Sequence, residues 1–355
     1  MRETPSLTWR DPARGLTLTA REVADDRLIA HIEATAFGTK GLRYRYRGMA
    51  SHLRAISHPL YLELEHDGAL VGTYVLSKKR VHTPLGTLDA WYRGLLTVTD
   101  GQQGQGYGRV LVEQAFAWFR ARAGAEGRPL LTYGCIEGEN ARSQKLLGDL
   151  DARVIGTFSA LPVYLHRPRE ETHIEPLNPG ETPAIAEALR AQYAALGLSD
   201  VGARIDPARY FIVPGQGGPV AGASVHVERL ILDDIGGALD PIVRTLVRVP
   251  GVRDRVDLDD LRWLKLHDLY VRPGFEDRWP GFVEALCARH GVNVAVFFLD
   301  PAGPTRAALA EGGVFDLVTR LFDTPISVSV AAFGDGTEAM LDAITDRGVC
   351  LYPGP

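Results

Sequence analysis

Cysteine is scarce in this 355-residue chain. Cys135, Cys287 and Cys350 are odd in number and far apart, which excludes a disulfide framework and a zinc-ligand spacing. Lysine occurs only at Lys40, Lys78, Lys79, Lys145 and Lys265, and the other basic residues are arginine. A basic excess is missing too. The net charge is −5, so the chain lacks the cationic face of a general nucleic-acid binder. No run approaches the roughly 20 uncharged apolar residues of a membrane span, and no membrane partner is expected. The segment from Met1 to Pro12 has no apolar signal-peptide core, which makes the cytoplasm the expected compartment. The 10 histidines form no ligand pattern, and no metal is expected.

What is present is an ordinary globular composition, 45% apolar and 23% charged. At roughly 100–200 residues per domain, the length points to two domains. Strand and helix patterns alternate over residues 16–165 and predict a mixed α/β fold. Residues 61–65 and 70–76 alternate with period two around Asp67-Gly68, a hairpin signal. A long strand over 88–98 leads into a glycine-rich turn and a helix bearing Leu111, Ala115 and Phe119 on one face. A buried strand, a short helix and another strand follow. Residues 166–171 are polar and break the pattern, placing a boundary between domains 1–167 and 172–355. The order then restarts. It adds a helix through Leu239, Ile242, Val243, Leu246 and Val247 and ends on strands over 315–322 and 326–333. The segment 98–108 lies over 271–281 without a gap, so the halves read as a duplication. Apolar alternation slips phase between Leu266 and Leu269, which predicts a β-bulge.

The turn Gln103-Gly104-Gln105-Gly106-Tyr107-Gly108 opens a helix. The first N–H groups of a helix lack internal partners, and its dipole adds partial positive charge. Together they can hold a pyrophosphate. Gly104, Gly106 and Gly108 place no Cβ in the way, and Gln103 can donate to a phosphate oxygen. The turn lacks the Lys-Ser/Thr of a P-loop and does not follow a first βαβ unit.

This segment resembles motif A of the GNAT acetyltransferase superfamily, with Gln103, Gly106 and Gly108 at its fixed positions and Val98 at the end of the preceding strand. The resemblance extends over most of residues 16–165 and implies two tandem GNAT folds. It implies acetyl-CoA or another acyl-CoA as cofactor. The pyrophosphate would lie on the amides of Gly104 to Arg109, and the pantetheine arm would run beside Leu96, Thr97 and Val98. Asn140 and Ser143, on one face of the short helix, resemble the family's pantetheine contact; Asn140 also suits a helix cap.

The family's usual acid, a tyrosine seven residues after that asparagine, is replaced by Leu147. Tyr133, Cys135 and Tyr164 are substitutes. Tyr92 and Asp89 lie where the family often places its base, although a tyrosine of ordinary pKa near 10 is a poor base. Glu63 and Glu65 share one strand face, as an amine anchor or as a solvated face. In the second half Glu276, Trp279 and Gly281 replace Gln103, Gly106 and Gly108, and Pro280 removes a donor. These changes predict a fold retained and a coenzyme A site lost. The expected activity is N-acyl transfer to a small-molecule or peptide amine, by a monomer with an internal pseudo-dimer or by a homodimer. Two alternatives stand beside it. One is a long-chain or carrier-protein-dependent acyltransferase whose tunnel is lined by residues 158–165. The other is a non-catalytic acyl-CoA-binding scaffold.

Overall fold

The computed structural model describes residues 7–39, 42–203, 205–235, 257–315, 323–345 and 347–352, with residues 241, 244, 245 and 319. The first half contributes β1 (Thr8–Asp11), β2 (Leu16–Arg21), α1 (Asp26–Ala34), β3 (Phe37–Thr39), β4 (Leu42–Tyr46), α2 (Met49–Arg54), β5 (Pro59–His66), β6 (Ala69–Thr83), β7 (Gly86–Val98), α3 (Tyr107–Glu126), β8 (Leu130–Glu137), α4 (Ala141–Gly148) and β9 (Arg153–Tyr164). The second contributes β10 (Glu175–Pro176), α5 (Thr182–Gln192), β11 (Leu198–Ser199), β12 (Tyr210–Val213), β13 (Ala221–Asp234), β14 (Leu261–Val271), α6 (Trp279–His290), β15 (Val294–Leu299), α7 (Pro304–Glu311), β16 (Thr324–Phe333), α8 (Thr337–Ile344) and β17 (Val349–Cys350).

Local chemistry accounts for several of these boundaries. The Asp25 carboxylate accepts the Leu28 N–H at 2.8 Å and starts α1, which buries Leu28, Ile29 and Ile32. Asp67 and Gly68 both have positive φ, as a two-residue hairpin between β5 and β6 requires. The expected bulge is present. The β13–β14 register shifts between Gly222 and Ser224, opposite Asp268 at φ 50°. The first half repeats it in β7, with Leu95 at φ 48°. The expected helix through Leu239 to Val247 and most of the expected strand 315–322 lie outside the described residues.

The sheet runs continuously through both halves in the order β1-β2-β5-β6-β7-β8-β16-β9-β15-β14-β13-β12-β10. Within this series all neighbours are antiparallel except β7–β8 and β14–β15. The two halves exchange their closing strands. β16, from the second half, lies between β8 and β9. β9, from the first half, lies between β16 and β15 and, among the described residues, pairs with no first-half strand. The cores follow the exchange. Phe333 of β16 packs under α3 with Phe116 and Phe119, while Leu161 and Val163 of β9 pack under α6 with Phe282 and Phe297. On the opposite face, α8 covers Tyr133, Val328 and Val330 at the centre. The run 158–165, considered above as a tunnel wall, is therefore largely a central core strand. The β3–β4 hairpin adds a second tie, because β4 pairs with the far end of β13.

Candidate functional site

The glycine turn takes the conformation that its sequence demands. Gly104 and Gly106 have φ of 91° and 86°, where a side chain is strained. A Cβ on Gly104 would meet no atom within 4 Å, and one on Gly106 would meet only the Arg14 guanidinium, at 3.8 Å. α3 has no side-chain cap and no acidic residue in its first turn, so its leading amides face outward unneutralised. The 20-residue helix behind them adds its dipole. Gln103 is exposed, with its amide 3.4 Å from Asp100. Tyr107 is buried, and its hydroxyl holds Gln105 at 3.0 Å. Arg109 points its guanidinium at Asp149, 2.7 Å away, and Glu113, so its side chain joins α3 to α4. Arg14 was missed by the sequence reading. It comes from the β1–β2 connection, 90 residues before the turn, and no local pattern marks it.

A fork in the sheet opens beside this turn. Parallel pairing of β7 with β8 ends at Arg93 and Gly134, and the strands separate beyond that point. Thr99 N–H bonds the Val71 carbonyl at 2.9 Å, so Val98 turns its own N–H away from β6 and toward the fork. Leu96 and Val98 pack their side chains into the α3 core. Thr97 is tied back to Thr73 at 2.7 Å and His31 at 2.9 Å. Asn140 caps α4, accepting the Ser143 N–H at 3.0 Å. Leu147 is buried under α3.

The second half has the same fork, ending at Leu266 and Phe297, but it is filled. The Gln192 side chain donates to the Leu269 carbonyl at 2.9 Å and accepts the Val271 N–H at 3.1 Å. Leu269 and Val271 are the counterparts of Leu96 and Val98. Tyr193 donates to the same carbonyl at 3.1 Å. The turn is filled as well. Glu276 puts its carboxylate on the Gly274 N–H at 3.0 Å, and Trp279, counterpart of Gly106, is wholly buried. A Cβ on Gly281 would collide with Thr172.

The proposed catalytic groups lie near the first fork. Tyr92 and Tyr133 sit side by side with ring centroids 5.3 Å apart. Tyr92 folds over Gly94, where an added Cβ would meet its ring at 2.7 Å. Burial pushes both phenols well above their usual pKa, which disqualifies them as bases near neutrality and leaves them as proton donors. Burial likewise raises the Cys135 thiol. Asp89 is held 2.6 Å from Lys78, whose hydrogen bond lowers its pKa. Glu63 is no solvated residue. It is fully buried beneath Arg21 and Arg27, while Glu65 pairs with Arg27 at 2.6 Å. That cluster is already neutralised and holds no spare charge for an amine.

Both halves wall a cleft of about 630 Å³, with Lys79 and Asp89 on one side and Asp200, Asp268 and Tyr352 on the other. A second chamber of about 490 Å³ adjoins it, and His52 and His226 line both. Burial lowers these two histidines to about 3 and about 4, so both are neutral at pH 7. The second chamber's Glu228 is buried 2.6 Å from Lys265 and accepts the Trp263 indole N–H at 3.1 Å. Lys265→Met should cost about 3 kcal/mol of stability in urea unfolding, because it strands the Glu228 carboxylate. An unchanged midpoint would show that the carboxylate takes up a proton at no cost.

Among the described residues no helix is long and apolar enough to cross a membrane. Comparison with curated proteins by sequence returns no significant match. Residues 26–151 match the family model of the acetyltransferase (GNAT) family. The structure is similar to that of Saccharomyces cerevisiae N-myristoyltransferase with bound myristoyl-CoA, at TM-score 0.57 and 8% identity, over 94% of this chain and 88% of that one. A second structure of that yeast enzyme, with myristoyl-CoA and inhibitors, gives TM-score 0.59 at 8% identity over 88% and 80% of the two chains. At such identity the likeness is one of fold. Residues 26–151 thus match the GNAT acetyltransferase family, and the chain carries the GNAT fold twice in tandem.

Proposed function

We propose that the protein is an acyl-CoA-dependent N-acyltransferase with one cofactor site, in its first half, and an acceptor cleft built by both halves. The observation that carries this reading is the contrast between equivalent places. The turn at Gly104–Gly108 and the fork beyond Arg93 are open, while Glu276, Trp279 and Gln192 fill their counterparts. The amides of residues 104–109 bind the pyrophosphate. Val98 N–H and the Asn140 turn hold the pantetheine arm. The thioester then lies at the fork, where Tyr92 and Tyr133 keep their protons and can donate one to the departing sulfur. The acceptor is a primary amine of a small molecule or a peptide that enters through the cleft between the halves. The described cleft is lined by Ile56, Val201, Val225, Leu269 and Leu351 as well as by lysine, aspartate and histidine, and the acyl chain length is left to the donor series below.

Calorimetry should find one acetyl-CoA bound per chain, and thiol release should appear with some member of an amine panel. Two bound cofactors would contradict the closed second site. Binding without thiol release from any amine would favour the scaffold reading. A rate that climbs from acetyl to myristoyl donors would favour the long-chain one. Arg14 would add a direct contact to the cofactor's phosphates. Arg14→Ala should weaken acetyl-CoA about tenfold, the worth of one charge-assisted hydrogen bond. An unaltered Kd would remove Arg14 from the site.

A further inference from the structure

We propose that Asp200, a residue of the second half, takes the proton from the acceptor amine. The inference rests on the transferase reading above and deepens it. Asp200 follows β11, which bridges the halves by pairing with β17 and with His82 of β6. One carboxylate oxygen accepts the Tyr352 N–H at 3.0 Å, and the other has no hydrogen-bond partner among the described residues. The side chain lines the cleft. It is close enough to the first-half fork for its charge to raise the pKa of Tyr92, Tyr133 and Cys135.

The other carboxylates of the cleft are committed. Asp89 is bound to Lys78. Asp268 accepts the Gly202 N–H at 2.7 Å and the Ser224 hydroxyl at 2.8 Å, and it lies 2.9 Å from His267. Asp206 faces Arg209 and accepts the Ala208 N–H. Among the described residues, Asp200 is the one of these four carboxylates without an ion pair. Burial raises its carboxyl to about 6. Lys79 of β6 and His267 of β14 pull against that rise, and Asp268 of β14 adds to it. A carboxylate with this affinity is ionised at neutral pH and still basic enough to accept a proton.

The step balances as follows. An ammonium acceptor gives one proton to Asp200. The freed lone pair forms the C–N bond to the thioester carbon as the C–S bond breaks. Tyr92 or Tyr133 gives its proton to the departing sulfur and is restored by the nitrogen's second proton, and Asp200 returns its own proton to water. The second half, closed to cofactor, thereby supplies a group that the first half lacks.

The test uses the full-length chain, acetyl-CoA, and a panel of spermidine, free lysine and a short peptide with a free N-terminus. Thiol release is followed between about pH 5.5 and 9, and Asp200→Asn should lower kcat about 100-fold or more. Acetyl-CoA affinity should be unchanged, and Asp200→Glu should restore part of the rate with a shifted acid limb. Urea unfolding provides a readout that needs no acceptor. A carboxyl whose folded pKa is raised stabilises the fold below about pH 4 and loses that contribution as the pH passes about 6. The wild type should therefore lose stability across that window and Asp200→Asn should not. Asparagine activity close to wild type, or an identical pH dependence of stability, overturns Asp200 and leaves the transferase reading standing. A wild type that binds acetyl-CoA but acylates no amine overturns both.

Discussion

Gly106→Trp should abolish acetyl-CoA binding while the chain stays folded. Two effects must be separated. Any side chain at φ 86° is strained, by about 1–2 kcal/mol. Gly106→Ala carries that same strain with almost no bulk, since its Cβ would meet only Arg14 at 3.8 Å. The alanine variant should therefore bind acetyl-CoA nearly as well as wild type. The tryptophan variant puts an indole where the proposed pyrophosphate site lies. Two charge-assisted hydrogen bonds of about 1.5–3 kcal/mol each would be lost, a weakening of roughly 100-fold or more. Calorimetry on the two variants decides it, and an unchanged Kd for tryptophan would mean that the phosphates lie elsewhere. The second half already carries this substitution as Trp279. Reversing it would leave Glu276 on the Gly274 amide and Gln192 in the fork, so no second site should appear.

Residues 1–167 expressed alone should not be recovered as a folded monomer. β9 pairs with β15 and β16, both of which would be absent. β8 would lose its partner over the eight residues from Leu130 to Glu137. Phe333, which stacks on Phe119 in the α3 core, would be missing as well. An open edge of that length templates pairing with another chain. The truncated half should aggregate, or form a dimer in which two copies of β9 pair at the centre as β9 and β16 do. Size-exclusion chromatography with light scattering distinguishes these states. A monomer unfolding cooperatively would contradict the strand exchange.

Much of the first half was legible because its signals are local. The hairpin at Asp67-Gly68 and the turn at Gly104–Gly106 require positive φ, which few residues provide. The bulge beside Asp268 appeared as a phase slip because alternation registers one extra residue. Asn140 met the capping geometry that its position offered. Tyr92 and Tyr133 meet at the fork, where burial raises both phenols, which disfavours Tyr92 as a base and keeps Tyr133 protonated as an acid must be. Glu63 shares its strand face with a polar neighbour, and the alternation that made it look solvated says nothing about α1 and Arg27 lying over it.

The length of 355 residues fits one fold used twice. Residue pattern alone carries the element order, the open glycine turn and its filled counterpart, because these depend on backbone conformation within a few residues. Which strand stands beside which did not follow from it. β9 and β16 would alternate in the same way whether each closed its own half or the other's. Arg14 beside Gly106, Gln192 in the second fork and Asp200 in the shared cleft are likewise products of packing between distant segments. A side chain's partner across 77 residues or more is set by where the sheet brings it, and no periodicity records that.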